Sequence, residues 1–557
     1  MQRLSTTDYL VFLVYFVIVS VYGYWVYSRK KKQNADSKDF FLAEGTLTWW
    51  AIGASLIASN ISAEQMIGMS GNGFKMGLAI AAYEWMAAAT LIIVAVFFLP
   101  IYLKNKIYTM PQFLRQRYNG TVAMIMAIFW LSLYVIVNLT SILFLGALAV
   151  STISGLNFTL CMIFLAGFAI VITLGGMKVI GYTDVIQVFF LVLGGLATTY
   201  LALNLVSEQM GSTGAMNGLN LLMSQAGDHF DMIFTQSNPN YMSLPGLTVL
   251  IGAMWVTNLN YWGCNQYITQ RALGADLPTA RTGLLFAAFL KLLMPVIVVL
   301  PGIAGYVLWK NGMFQQDLME GGELNPDRAY PVLLNLLPSG LKGLSFAALT
   351  AAIVASLAGK ANSISTIFTL DIYKNSINQR ASEKSLVWTG RLAVVVAMVL
   401  AIVIAPFLGI DKKGGFEFIQ EYTGFVSPGI FAMFVLGFFW KRTTTLAAMF
   451  AIIGGFALSI IFKFLPGYAD LSFLQSSGFA VLNPASGAVE IPFLDRMGFV
   501  FLICVIGMVS ISLMTPAHLQ PKDTLHVEFS MFKTSRGFTI GALIVLAVIA
   551  TLYTVFW

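Results

Sequence analysis

Charged side chains are scarce in this sequence. Only 10% of the 557 residues are Asp, Glu, Lys or Arg, whereas 58% are hydrophobic and the mean hydropathy is +0.79. Soluble domains carry about 25% charged residues. This composition therefore excludes an ordinary soluble protein and indicates a membrane protein that crosses the bilayer many times.

Cysteine, histidine and enzyme motifs are sparse as well. The three cysteines, Cys161, Cys264 and Cys504, lie in apolar segments without metal-ligand spacing, so we expect free thiols and no metal cluster. Neither GxxxxGK[ST] nor HExxH occurs, and we expect no enzyme. The net charge of +7 is typical of Lys and Arg in cytoplasmic loops rather than of a nucleic-acid surface.

Long apolar runs dominate the chain instead. We count about fourteen, each near the 20 residues that a bilayer crossing needs: Tyr9–Tyr27, Trp49–Met69, Gly77–Leu103, Val122–Ile153, Phe158–Leu174, Thr183–Val206, Pro245–Ile268, Gly283–Trp309, Val332–Ile372, Leu386–Leu408, Phe416–Trp440, Leu446–Phe464, Pro492–Met514 and Phe538–Phe556. The predicted fold class is an all-α polytopic membrane protein.

The distribution of Lys and Arg predicts the orientation. Lys30, Lys31 and Lys32 follow the first apolar run, which places that loop in the cytoplasm and the N-terminus outside the plasma or inner membrane. Alternate loops after it are rich in Lys and Arg, including Arg271, while Lys412 and Lys413 go against the trend. We expect one membrane domain: a peripheral first helix (8–28), a first repeat (48–206), a second repeat (245–440) and peripheral C-terminal helices (443–557).

Two apolar spans are interrupted by polar residues. Ala51–Gln65 contains Ser59, Asn60, Ser62, Glu64 and Gln65, and Met254–Gln266 contains a threonine, three asparagines and a glutamine. Backbone groups freed by a break inside the membrane must face protein or a wet cavity. Two broken spans five helices apart indicate an inverted repeat with a binding site at its centre. A small-residue packing face is the alternative for the first span.

Isolated ionisable residues in apolar spans are functional candidates, here Glu64, Glu84, Lys291, Lys360 and Glu421. Structural ion pairs are the alternative, and Glu64, near a helix end, fits that alternative best. Amides and aromatic residues accompany these charges, and the mixture of donors, acceptors and rings suits a neutral polyhydroxylated ligand.

Several long motifs resemble one transporter family. WWAIGASLIASNISAEQMIGMSG, GLAIAAYEWM, LYVIVNLTS, YTDVIQVFFLVLGG, NYWGCNQYITQR, FIQEYTGFVSPG and TIFTLDIYK resemble the solute:sodium symporter family, and most of all its bacterial sodium/galactose (sodium/glucose) branch. The resemblance covers nearly the whole chain. It implies a LeuT-like fold of two inverted five-helix repeats plus peripheral helices, with alternating access to one sugar and a sodium ion.

The resemblance also implies site residues. The implied sugar contacts are Gln65, Glu84, Asn138, Asn258, Lys291 and Gln420. The implied gates are Met69, Tyr83 and Phe416 on the outer side and Tyr261 and Trp262 on the inner side. Sodium is expected on the carbonyls of Ala58, Ile61 and Ala352 and the hydroxyl of Ser356, with Asp184 on the ion's exit route. Such oxygen-only ligation suits a hard cation.

The chain departs from the family pattern at four positions. Ala87 and Ala355 stand where close relatives have serines, and Asn260 replaces a tyrosine. Lys360 stands where they have an apolar residue, one helical turn after the expected sodium ligand. We hypothesise that Lys360 pairs with Asp184 and lowers sodium affinity, or replaces sodium; snorkelling to the cytoplasmic interface is the alternative.

The expected function is sodium-coupled symport of a neutral monosaccharide, galactose or glucose, with the sugar, the sodium ion and the lipid bilayer as partners and no nucleic acid. Within transport, the alternatives are myo-inositol, another polyol or a modified sugar, and proton-coupled or uncoupled transport. From a different class, a sugar sensor or a channel-like protein could use the same fold.

Overall fold

The computed structural model describes residues 4–29, 47–174, 177–407, 415–483, 486–516 and 525–557. The α-helices are Thr6–Arg29, Trp49–Asn60, Ser70–Met76, Ala82–Ile93, Leu99–Lys104, Met110–Arg117, Gly120–Ser132, Thr140–Ser154, Phe158–Thr173, Met177–Gln209, Ala215–Gln225, Leu247–Ile251, Ala253–Gly263, Gln266–Ala272, Leu277–Lys310, Ala329–Leu334, Leu341–Thr366, Glu383–Ile404, Gly415–Gly424, Ser427–Phe439, Thr445–Met449, Gly455–Phe464, Phe493–Met514 and Arg536–Val555.

Shorter elements connect or interrupt these helices. The π-helices are Glu64–Met69, Val94–Phe98, Leu133–Leu139, Ile367–Ile377 and Phe450–Gly454. The 3-10 helices are Gly77–Ala81, Gly227–His229, Pro326–Arg328, Ala405–Phe407, Leu465–Gly467, Ser472–Ser477 and Phe529–Phe532. Two antiparallel hairpins pair Met319–Glu320 with Glu323–Leu324 and Val481–Leu482 with Val489–Glu490.

The predicted all-α architecture is confirmed. Nine helices among the described residues are long and apolar enough to cross a bilayer, and the bent pair Phe416–Gly424 and Ser427–Phe439, with a 54° bend, makes ten. The shorter apolar helices Thr6–Tyr22 and Phe158–Thr173, together with two broken segments, account for the other predicted spans. The chain is therefore a multi-pass membrane protein.

The first break lies where the polar residues predict it. The helix Trp49–Asn60 ends at Ile61, whose backbone is extended (φ −79°, ψ 99°), and helical structure resumes at Glu64. Gly77 then ends this span with φ +77°, a conformation that glycine adopts without steric cost. A Cβ atom at Gly77 would stand 2.5 Å from the Cα of His229. We call residues 49–76 the first broken span.

The second broken span covers residues 253–272. The helix Ala253–Gly263 ends at Cys264, Asn265 is extended (φ −103°, ψ 123°), and a new helix begins at Gln266. Both spans therefore have an interruption of a few residues within an otherwise helical, apolar segment.

The long helix Leu277–Lys310 packs along the first broken span on both sides of its break. Glycines make this approach possible: a Cβ at Gly53 would stand 2.8 Å from the carbonyl oxygen of Gly283, and one at Gly302 would stand 2.0 Å from that of Ser70. Small residues at such contacts let two helix backbones approach closely. Met177–Gln209 and Leu341–Thr366 also pack against Trp49–Asn60.

Three buried arginines lie at or near helix ends, where two of them donate to backbone carbonyl groups. Arg117 donates to the carbonyls of Gly437 (2.8 Å) and Trp440 (3.0 Å), at the end of a helix. Arg281 donates to that of Met531 (2.8 Å). The loop position predicted for Arg271 is wrong, because Arg271 lies in the last turn of the helix Gln266–Ala272, and its side chain is buried. The predicted loop residues Lys30, Lys31, Lys32, Lys412 and Lys413 lie outside the described residues.

Candidate functional site

A central cavity opens between the two broken spans. The space that its lining residues enclose, together with the open space at its mouth, measures about 720 Å³. Its walls are Asn60, Glu64, Gln65, Tyr83, Glu84, Ala87, Leu133, Asn138, Thr257, Asn258, Asn260, Tyr261, Trp262, Asn265, Tyr267, Lys291, Lys360, Phe416, Ile419, Gln420, Thr423 and Ser427. The surface of the cavity therefore carries both polar and aromatic side chains.

One wall of the cavity carries the ion pair Lys291–Glu84. The Lys291 Nζ atom lies 2.5 Å from the Glu84 carboxylate, and both side chains are at most 3% exposed. The same ammonium donates to Asn60 Oδ1 at the first break and lies 5.2 Å from the centre of the Trp262 ring. Because each charge has a partner, the pair presents donors and acceptors to a ligand without net charge.

A second buried pair joins Lys360 to Glu64. The Nζ–Oε1 distance is 3.1 Å, the side chains are 2% and 7% exposed, and the ammonium lies 5.0 Å from the centre of the Tyr267 ring. This burial excludes snorkelling to the interface. Glu64 and Lys360 both line the cavity, next to Asn60 and Gln65 at the first break.

The hypothesis that Lys360 pairs with Asp184 is wrong. Asp184 accepts a 2.5 Å hydrogen bond from Ser55 Oγ and lies 3.9 Å from Arg271 Nη2. Arg271 also donates from Nε to Ser55 Oγ at 2.9 Å. Arg271, at the end of the second broken span, therefore supplies the cation near Asp184, and Lys360 turns to the carboxylate at the first break.

Amides and tyrosines link the two breaks. Asn60 Nδ2 donates to the Tyr261 hydroxyl at 3.0 Å, and the Tyr261 and Tyr267 hydroxyls are hydrogen-bonded to each other. Asn260 Nδ2 donates to Ser427 Oγ at 3.0 Å. These bonds fix the orientation of Tyr261, whose ring faces the cavity beside Trp262 at a centroid distance of 5.1 Å.

An aromatic pair, Tyr83 and Phe416, also lines the cavity. The Tyr83 and Phe416 rings meet edge to face at a centroid distance of 5.0 Å, an arrangement that aromatic pairs favour. Met69 is fully buried but is not part of the wall. Glu421, predicted as a functional candidate, instead pairs with Lys463 and, at 3.2 Å, with Arg496 of two C-terminal helices.

The structure brings all six residues predicted as sugar contacts into this one wall: Gln65, Glu84, Asn138, Asn258, Lys291 and Gln420. Sequence reasoning missed several others, among them Tyr267, Thr423 and Ser427. Tyr267 lies two residues after the second break, and this position in the sequence could have indicated that its side chain lines the cavity. Thr423 and Ser427 flank the bend of another helix, which the apolar pattern does not reveal.

A side-chain hydroxyl meets a backbone carbonyl just before the first break. Ser356 Oγ donates a 3.1 Å hydrogen bond to the carbonyl of Ser59, one residue before the helix ends. Ala58, Ile61 and Ala352 are buried beside the same two helices. Among the described residues, no group of three His, Cys, Asp or Glu side chains could hold a metal ion. Carbonyl and hydroxyl oxygens are the ligands that a hard cation prefers.

Comparison with known proteins shows the family. The model of the sodium:solute symporter family matches residues 40–455. The chain is 46% identical to a sodium/glucose cotransporter of Vibrio parahaemolyticus over 100% of this chain and 99% of that protein. It is 33% identical to sodium/myo-inositol cotransporter 2 of Homo sapiens over 83% of this chain and 70% of that protein.

Solved structures show the same fold. A Na⁺-coupled sialic acid symporter in a substrate-bound outward-open state superposes with a TM-score of 0.75 at 21% identity, covering 92% of this chain and 98% of that one. Mhp1, a nucleobase-cation-symport-1 family transporter, gives 0.51 at 14% identity, covering 87% and 96%. The fold is thus LeuT-like, as the motifs predict, and the chain belongs to the sodium:solute symporter family.

Proposed function

We propose that this protein is a sodium-coupled secondary symporter of a neutral monosaccharide, galactose or glucose. The observation that carries the proposal is the central cavity, where two compensated ion pairs, amides and aromatic rings meet between two broken spans. The 46% identity to a sodium/glucose cotransporter over the whole chain supports the same solute class. The solute crosses without chemical change, so the protein is not an enzyme.

The sugar is held by groups that both donate and accept hydrogen bonds. The proposed contacts are Gln65, Glu84, Asn138, Asn258, Lys291 and Gln420. Glu84 accepts from sugar hydroxyls and Lys291 donates to them, while the salt bridge between these two side chains keeps the site neutral overall. A carboxylate substrate would add an uncompensated charge, which is costly in a buried site.

Aromatic side chains close the site on two sides. Tyr261 stacks on the apolar face of the sugar with Trp262 beside it, and Met69, Tyr83 and Phe416 form the outer gate. Sugar rings expose C–H faces that pack on aromatic rings. Separation of the 5.0 Å Tyr83–Phe416 contact opens the outer path, and displacement of Tyr261 opens the inner one.

Sodium binds at the first break, on the carbonyls of Ala58, Ile61 and Ala352 and the hydroxyl of Ser356. The helix end at Asn60 frees carbonyls that the next turn would otherwise use. Ala355 contributes no side-chain oxygen, so Ser356 supplies the only hydroxyl of this set. Asp184, held by Ser55 and Arg271, lies on the route by which the ion leaves.

Transport follows alternating access in a plasma or inner membrane, with the N-terminus outside. The two repeats (48–206 and 245–440) move relative to each other around the central cavity, and the helices at 8–28 and 443–557 stay peripheral. Sodium entry down its gradient, helped by about 2.3 kcal/mol per charge for each 100 mV, drives uphill sugar uptake.

A second candidate solute is myo-inositol. Ala87 lines the cavity without offering a hydroxyl, and the human relative at 33% identity is named for myo-inositol. Competition in proteoliposomes separates the candidates: labelled galactose uptake is measured with excess glucose, myo-inositol or sialic acid. We expect glucose to compete strongly. Competition by sialic acid alone would contradict the neutral-sugar proposal, and competition by myo-inositol alone would favour the second candidate.

A further inference from the structure

We infer that Lys360 is a resident cation of the sodium-binding region, which weakens sodium binding by occupying the Glu64 carboxylate and by repelling the ion. The inference rests on the proposed sodium site and deepens it, because it assigns the residue that sets sodium affinity. It concerns an ion pair that none of the proposed sugar or sodium contacts includes.

The position of Lys360 is the first support. Its ammonium is buried, lies 3.1 Å from Glu64 and stands over the Tyr267 ring. Glu64 is the first residue of the π-helix after the break. A carboxylate at this position would otherwise be a buried negative charge beside freed carbonyls, an arrangement that attracts a small cation.

The helices that the ion pair connects are the second support. The Ser356 hydroxyl contacts Ser59 before the break, and Lys360, on the same helix, contacts Glu64 after it. Lys360 follows Ser356 by four residues, so it lies on the same helix face, about 6 Å farther along the axis. The ammonium thus ties together the same two segments that a sodium ion at Ser356 would join.

Two electrostatic effects follow from this placement. The salt bridge removes most of the attraction that Glu64 would exert on an entering sodium ion. The ammonium itself repels a second cation about one helical turn away, and in a water-poor site such interactions are much stronger than in bulk water. Both effects lower sodium affinity, while the pair keeps the break attached to the Leu341–Thr366 helix when sodium is absent.

Sodium-dependent thermal unfolding of the purified full chain tests the inference without sugar. The unfolding temperature is measured as NaCl replaces choline chloride at constant ionic strength, because an ion that binds only the folded state stabilises it according to its Kd. We expect Lys360→Met, and Lys360→Gln, which retains a hydrogen-bonding group, to lower the sodium Kd by about tenfold. Lys342→Met, a buried lysine at the start of the same helix, serves as the matched control and should not change it.

The charge origin of the effect is tested by Lys360→Met/Glu64→Gln, which buries neither charge and should restore a sodium Kd within about threefold of the wild-type value. Adding Ser356→Ala to Lys360→Met should weaken the sodium effect, which ties it to the proposed site. A sodium Kd that stays the same in both Lys360 variants overturns the inference. A double variant that binds sodium as tightly as Lys360→Met alone overturns the role assigned to the Glu64 carboxylate.

The proposed function is tested separately, by measuring galactose binding in the same samples. Galactose is added with saturating sodium, and a galactose-dependent rise in unfolding temperature supports sugar binding whatever Lys360 does. Sodium-dependent stabilisation with unchanged Lys360 variants overturns only the role of Lys360. The complete lack of a sodium effect in wild type and variants overturns both the role of Lys360 and the sodium site.

Discussion

Ser356 donates a hydrogen bond from its Oγ atom to the carbonyl oxygen of Ser59, which lies 3.1 Å away and just before the first break. The bond joins the helix Leu341–Thr366 to the end of Trp49–Asn60. It places a hydroxyl oxygen next to carbonyls that no following helical turn uses, which is the ligand chemistry of a hard cation.

Ala355 and Ser356 should therefore change sodium affinity in opposite directions. Ser356→Ala removes the proposed hydroxyl ligand and should raise the sodium concentration for half-maximal galactose uptake by about threefold to tenfold, as expected for one neutral hydrogen-bonding group. Ala355→Ser, at a buried position, adds an oxygen and should lower that concentration. The sodium dependence of uptake in proteoliposomes measures both. An unchanged sodium dependence in both variants would place the ion elsewhere.

Lys291 and Glu84 should depend on each other. Lys291→Met leaves the Glu84 carboxylate buried without its ammonium, and loss of one partner of a buried pair costs about 3–5 kcal/mol. We expect a marked fall in unfolding temperature and loss of galactose binding. Lys291→Met/Glu84→Gln removes both charges and should recover the unfolding temperature but not galactose binding. Recovery of both would show that the pair is structural and does not contact the sugar.

The ring and the hydroxyl of Tyr261 should make separate contributions to galactose affinity. Tyr261→Phe keeps the ring but removes the hydroxyl that accepts the 3.0 Å bond from Asn60, and one such bond is worth about 0.5–1.5 kcal/mol. We expect galactose affinity to fall by less than about tenfold in Tyr261→Phe and by more in Tyr261→Ala, since the alanine also removes the stacking surface. Isothermal titration with galactose measures both, and equal losses would exclude ring stacking.

Acid should destabilise the folded loop at His229. Burial lowers the pKa of this histidine below 6.5, against smaller opposite effects of the Phe74 carbonyl and Asp228. The ring stacks on Tyr306 at 4.1 Å. The pKa of His229 is lower in the folded protein than in the unfolded chain, so the unfolded chain binds more protons. The free energy of unfolding therefore falls as the pH drops through 6.5. His229→Gln should reduce the loss of unfolding temperature between pH 7.5 and 5.5, and the same loss in His229→Gln as in the wild-type protein would contradict this expectation.

The sequence predicted where the breaks lie but not which charges meet there. Asn60 and Glu64 interrupt an apolar run, and a local pattern of this kind is sufficient to locate a broken helix. The partner of Lys360 depends on tertiary distances. Helical spacing placed Lys360 on the same face as Ser356 but could not choose between Asp184 and Glu64.

The contacts of Arg271 explain why the predicted pairing of Lys360 with Asp184 was wrong. The distribution of Lys and Arg predicted that Arg271 lies in a cytoplasmic loop, because it follows the apolar part of the second broken span. In the fold its side chain turns inward and reaches Ser55 and Asp184. A Cβ atom at Gly359 would lie 2.4 Å from Arg271 Nη2, so this glycine leaves the space that the guanidinium occupies. No pattern in either segment alone reports such a long-range contact.

Uptake of labelled galactose into proteoliposomes, with and without an inward sodium gradient at fixed pH, tests the central claim most directly. We predict uptake that an inward sodium gradient stimulates, that an inside-negative potential increases, and that Ser356→Ala weakens. Uptake that ignores sodium but follows a proton gradient would contradict sodium coupling, and the absence of galactose uptake under either gradient would contradict the proposed sugar.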